Sequence, residues 1–113
     1  MIAIKPLADT RREVNITEWA DGVRAFVREM DVLDRLVVND LIDTFLGHGE
    51  KSPEERAEAG LNACIMTLAD GEGNQLLDPS QLPELKKASF EPVARVVRLL
   101  LDTKAEDDSL KKG

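Results

Sequence analysis

In "DGEGNQLLDPSQ", residues 70–81, oxygen-bearing side chains fall at every second position from Asp70 through Glu72 to Asn74, the spacing with which a twelve-residue loop wraps a calcium ion. Such a loop would continue with the backbone of Leu76 and with Asp78, and close on a bidentate carboxylate at its last position. That position is Gln81, an amide. The sixth position, where the loop bends sharply and wants glycine, is Gln75, while the backbone freedom sits at Gly71 and Gly73. The departures strike the closing ligand and the bend, so the expectation is an acidic-glycine turn, with Asp78 and Pro79 opening a helical turn, and no metal site.

Other reactive side chains lack the neighbours that chemistry requires. The lone Cys64 has no second cysteine to pair with and lies in the apolar run "LNACIMTLA", where a thiol is expected to be packed and inert. His48, the one histidine, stands between two glycines with no orienting partner near it in sequence, which a general base needs. Glu54, Glu55 and Glu58 line the start of a helix, where carboxylates favour the helix dipole. No phosphate-cradling glycine loop or nucleophile elbow is present. The expectation is a protein without catalytic residues, cofactor or metal.

Charge narrows the partners. With 22 acidic and 15 basic residues in 113, the formal charge is -7, and duplex nucleic acid and anionic membranes would repel such a surface. No run of about 18 uncharged apolar residues exists, and "MIAIKPLADTRREV" lacks the apolar centre of a secretory signal, so a cytosolic protein is expected.

The elements that must position these residues follow from periodicity and punctuation. Val14 and Ile16, then Val23, Ala25 and Val27, alternate as in strands, and Asp21-Gly22 suits a tight turn, so a β-hairpin is predicted over about 13–29. Being marginal alone, it must lie on helices or on another chain. A helix over about 31–46 has Asp31 as N-cap, Gly47 as stop, and an apolar stripe of Leu33, Val37, Leu41 and Phe45 with Val38 and Ile42 beside it. A second, over about 53–69, opens with Ser52, Pro53 and a capping-box Glu55, and carries Ala57, Leu61, Cys64, Ile65 and Leu68. A third, over about 90–102, starts from Ser89 as cap and aligns Phe90, Val93, Val96, Val97, Leu100 and Leu101, with Glu91 and Arg95 free to pair outside. The fold class is α+β, mainly α: one domain over 12–103, a mobile segment over 1–11, a flexible connector over 47–52 and a disordered tail over 104–113.

The segment "ITEWADGVRAFVREMDVLDR" resembles the opening of the tail assembly chaperones of long-tailed bacteriophages and prophages, in its Trp19, its Val27 to Met30 and its Asp34 with Arg35. "RAEAGLNACIMTLADGEGNQLLDPSQLPELKKASFEPVARVVRLLL" is similar to that family's helix, acidic-glycine turn, short apolar segment and closing helix. The resemblance runs from about Glu13 to Leu101; the connector "DTFLGHGEKSPEE" and the tail "DTKAEDDSLKKG" match no part of it.

The resemblance implies a non-enzymatic protein of the host cytoplasm, absent from the mature virion, that binds the tape-measure protein and helps recruit tail-tube subunits, with self-association open. In that family a second, longer product is often made by ribosomal slippage, for which Lys111 and Lys112 mark a candidate position; the alternative, terminal lysines that solubilise a disordered tail, ranks ahead of it. Expected partner contacts are Trp19, Phe26, Arg28, Met30 and Arg35, with Trp19 first because a large amphipathic ring near a hairpin tip is a common anchor. For Trp19 the alternative of packing the ribbon onto the helices is equally open. The competing reading of the whole chain is a small acidic protein-interaction domain unrelated to phage; calcium-binding and enzymatic readings rank below it.

Overall fold

The computed structural model describes the backbone of residues 1–112 and the side chains through Asp102. Its order is β1 (Arg11–Val14), β2 (Ala25–Arg28), α1 (Val32–Phe45), α2 (Pro53–Thr67), β3 (Leu68–Ala69), a 3-10 turn (Pro79–Gln81) running into the single-turn α3 (Leu82–Leu85), and α4 (Glu91–Lys112). The α+β, mainly α class expected from the sequence is what forms. Residues 1–10 carry no regular structure and are exposed, and Arg11 already belongs to β1.

β1 and β2 pair antiparallel, with Val14 opposite Ala25 and Arg12 opposite Val27. The predicted pairing holds, but the link between the strands is longer than predicted. Asp21-Gly22 does form a turn, with Gly22 at φ 71°, but inside a longer loop over 15–24 rather than as the two-residue link between the strands. Strand pairing stops at Val14 because Ile16 turns inward and its carbonyl accepts the amides of Trp19 and Ala20. The ribbon also gains a third strand: Leu68 and Ala69 pair antiparallel with Val27 and Phe26. Two residues are too few to show a strand period, so the sequence alone reads "LA" as the end of the helix.

The helix ends follow their caps. Asp31 accepts the Asp34 amide at 2.8 Å, and Ser52 and Glu55 close a reciprocal capping box, Ser52 Oγ accepting the Glu55 amide at 3.1 Å. At the far end of α1, Gly47 sits at φ 89°, its amide bonding to Thr44 and that of His48 to Asp43, a left-handed stop that glycine makes without strain. α2 ends at Thr67 rather than 69, since Leu68 turns extended to join β2. α4 begins at Glu91, so Phe90, not Ser89, immediately precedes it. No glycine or proline interrupts residues 93–112, and the backbone of α4 continues to Lys112, into the stretch 104–113 for which the sequence suggests a disordered tail; Gly113 lies outside the described residues.

One core joins the layers. Val14, Ile16, Ala25, Val27 and Leu68 from the sheet side meet Val38 and Ile42 of α1, Leu61, Cys64 and Ile65 of α2, Leu85 of α3, and Val93, Val96, Val97 and Leu100 of α4. Each fully buried aliphatic side chain contributes about 1.5–3 kcal/mol. The orientation of α1 corrects the predicted stripe. Val38 and Ile42 are its buried positions, Phe45 is half-buried, and Leu33 and Val37, expected inside, are 71% and 42% exposed. α1 packs tightly on α2 where Gly60 stands: a Cβ there would lie 2.5 Å from Phe45 Cδ1 and 3.0 Å from Val93 Cγ1. Only glycine lets the Phe45 ring cross at that depth.

Candidate partner-docking surfaces

The expected anchor, Trp19, is half-buried in the 15–24 loop, and its indole Nε1 donates to the Ser89 carbonyl at 2.8 Å. Glu18 beside it holds Arg95 of α4 through two bonds of 2.6 Å, and Arg95 also donates to the Asn15 carbonyl at 3.1 Å. Arg95 therefore serves the loop first, and Glu91, expected to pair with it, acts on it as a weaker neighbouring charge. The guanidinium hydrogen bonds pull the Glu18 carboxyl down to about 2. Together these contacts fasten the loop across the start of α4. Trp19 lines a cleft of about 260 Å³ with Ile16, Val23, Leu76, Leu77 and Ala88, packed as a strut between loop and helix.

Arg28, Met30 and Arg35 do come together, around a cleft of about 150 Å³ that Thr10, Val27 and Leu100 also line. Both guanidinium groups are occupied with holding the chain. Arg28 donates to the Met66 carbonyl at 3.0 Å and pairs with Asp34 at 3.3 Å, tying β2 to α2 and α1. Arg35 donates to the Leu100 carbonyl at 2.9 Å, tying α1 to α4. Phe26 lies apart from them, half-buried, with the Arg24 guanidinium 5.3 Å from its ring centre. Arg24 in turn holds Glu13 at 2.8 Å, and that hydrogen bond lowers the Glu13 carboxyl below its ordinary range. The five expected contact residues thus fall in three places, and Trp19, Arg28 and Arg35 have structural work there.

The acidic turn is likewise committed to its own backbone. One Asp70 oxygen accepts the amides of Glu72 and Asn74, each at 2.9 Å, and the Asp70 amide returns to the Asn74 carbonyl at 2.9 Å. Those amides, that of Asn74 first, hold the Asp70 carboxyl below its usual value. Gly73 at φ 89° closes the turn, and Arg11 clips it to β1 through the Gly71 carbonyl at 2.6 Å. No group of three or more His, Cys, Asp or Glu among the described residues is arranged to hold a metal ion. Cys64 is fully buried, and desolvation pushes its thiol up to about 12, which suppresses the nucleophilic thiolate. His48 is exposed, 3.5 Å from Asp43. No helix among the described residues is long and apolar enough to cross a membrane.

Two apolar surfaces went unanticipated. On α1, Val32 is 80% exposed, Leu33 71%, Leu36 58% and Val37 42%, so the first two turns present aliphatic side chains to water. Elsewhere, Phe45 and Phe90 stack with ring centres 6.0 Å apart beside an open groove of about 390 Å³ lined also by Leu46, Pro53, Arg56 and Ala57. The signal was present in "VLDRLVV": a helix apolar on more than one face has more apolar surface than one core contact can cover.

No protein-family model matches the chain, and no curated protein matches it. Among solved structures, the bacteriophage HK97 tail assembly chaperone is similar, with a TM-score of 0.55 and 16% sequence identity over 83% of this chain and 84% of that one. At that identity the likeness is one of fold. It is the fold that the resemblance of the Trp19 and Val27 to Met30 segment implies.

Proposed function

We propose that this protein is a tail assembly chaperone of a long-tailed bacteriophage or prophage. It binds the tape-measure protein, a very long and largely helical chain, keeps it dispersed, and helps bring tail-tube subunits to it in the host cytoplasm before leaving the assembled tail. The observation that carries this reading is the fold shared along 83% of the chain with the HK97 tail assembly chaperone.

The physics of the molecule suits the role. A long amphipathic helix without its sheath exposes more apolar surface than a soluble chain tolerates, and a small protein with spare apolar surface can cover that seam. Its own charge of -7 then keeps the complex apart from others. Binding of this kind needs no reactive side chain, which agrees with a buried thiol and an acidic turn closed on itself.

The experiment is co-purification. The tagged protein is expressed with the very long helical protein and the tube protein encoded beside it, and the complexes are resolved by size exclusion. The expected result is a complex with the long protein to which tube subunits add. Failure to retain the long protein at physiological salt would overturn the reading.

A further inference from the structure

We propose that the solvent face of α1 docks an amphipathic helix whose apolar stripe is bordered by lysine or arginine; this rests on the chaperone reading and assigns its contact surface. Val32 and Leu36 form one row along the helix, and Leu33 and Val37 the next, at the one-turn spacing that makes a ridge. Ridges of this kind seat in the groove of another helix better than against an extended strand. The patch is also not left over from core packing. Val38 and Ile42 already bind α1 to the body of the protein, and the four aliphatic residues lie on the opposite side.

Charge selects the occupant. Exposed Glu29 and Asp31 precede the ridge, and exposed Asp40 and Asp43 follow it on the same side of the helix. The sole cation within 29–45 is Arg35, and it is turned inward onto the Leu100 carbonyl. An apolar stripe fenced at both ends by carboxylates complements a helix with cations beside its apolar residues. A second copy fits poorly: parallel or antiparallel, two such faces set carboxylates against carboxylates on chains that each carry -7. The chain's own exposed Met1, Ile2, Ile4 and Leu7 are the remaining apolar candidates, but Pro6 and the irregular backbone of 1–10 deny them a helical stripe.

The test uses the full-length protein and a labelled synthetic helix with a leucine stripe flanked by lysines, read by fluorescence anisotropy. A companion helix replaces the lysines with glutamates. Binding of the lysine helix, at least about tenfold weaker to Leu33→Ser/Leu36→Ser and with a shallower salt dependence for Asp40→Asn/Asp43→Asn, is the expected result. Circular dichroism melts confirm that these surface variants fold. Equal binding by wild type and the leucine variant, or a preference for the glutamate helix, overturns the assignment. So does a wild-type dimer that the leucine variant converts to monomer in sedimentation, or a tenfold gain on deleting residues 1–9, since these give the face to a second copy or to the chain's own start. If the leucine variant still co-purifies with the long tail protein, this face alone is refuted. If wild type fails to co-purify, the chaperone reading falls while the peptide result stands.

Discussion

Glu18 and Arg95 make the clearest ionic contact in the molecule, and it should leave a pH signature. The folded Glu18 carboxyl lies at about 2, below its ordinary 4.5, so its contribution is complete above 4.5 and is lost as pH falls toward 2. Wild type should melt above Glu18→Gln at pH 7, and the two curves should converge near pH 2; a gap independent of pH would contradict the assignment. Trp19→Phe removes the indole donor to the Ser89 carbonyl and leaves that acceptor to water, a loss of about 1 kcal/mol in urea denaturation. Binding to a helical partner should survive this change if Trp19 is a strut. Lost binding with an unchanged urea midpoint would restore it as an anchor. Because Asp70 is already spent on two amides, millimolar calcium should leave the melting temperature where it was, and a clear calcium-dependent rise would show a metal site.

At the scale of elements, Gly60 carries the close crossing of α1 and α2. Gly60→Ala gains about 1 kcal/mol of helix propensity, but it drives a methyl into Phe45 and Val93, and such overpacking costs about 1–3 kcal/mol. A lower denaturation midpoint is expected, and a higher one would mean that the Phe45 ring swings aside freely. Local chemistry made the helices readable: Asp31, Ser52 with Glu55, and Gly47 act in the structure as their residue types foretell. What escaped depended on partners distant in sequence. β3 exists because β2 offers it an edge, and the loop over 15–24 is held by Ser89 and Arg95, contacts that span 70 and 77 positions. The inner side of α1 is not legible in the sequence for a related reason. Leu33 and Val37 keep the same period as Val38 and Ile42, and periodicity cannot say which of two apolar rows meets the core. The intramolecular roles of two cations were hidden in the same way: Arg28 and Arg35 look like surface cations in the sequence, yet each donates to a backbone carbonyl within the fold.

Viewed whole, the protein is a small acidic body with more apolar surface than its own core consumes, and it has the fold of a tail assembly chaperone. These properties oppose each other in a free monomer, where exposed aliphatics favour association and a charge of -7 resists it. They act together once a helix with cations beside its stripe covers the apolar face, because the complex then hides the stripe and keeps its repulsion from other complexes. High salt should therefore weaken capture of the partner and promote clumping of what remains free, measurable by light scattering of the co-purified complex. The most direct measurement is the soluble yield of the very long helical tail protein, expressed in bacteria with and without this chain. A several-fold rise in soluble long protein is expected when the two are made together. An unchanged soluble fraction, with this chain itself folded and abundant, would contradict it.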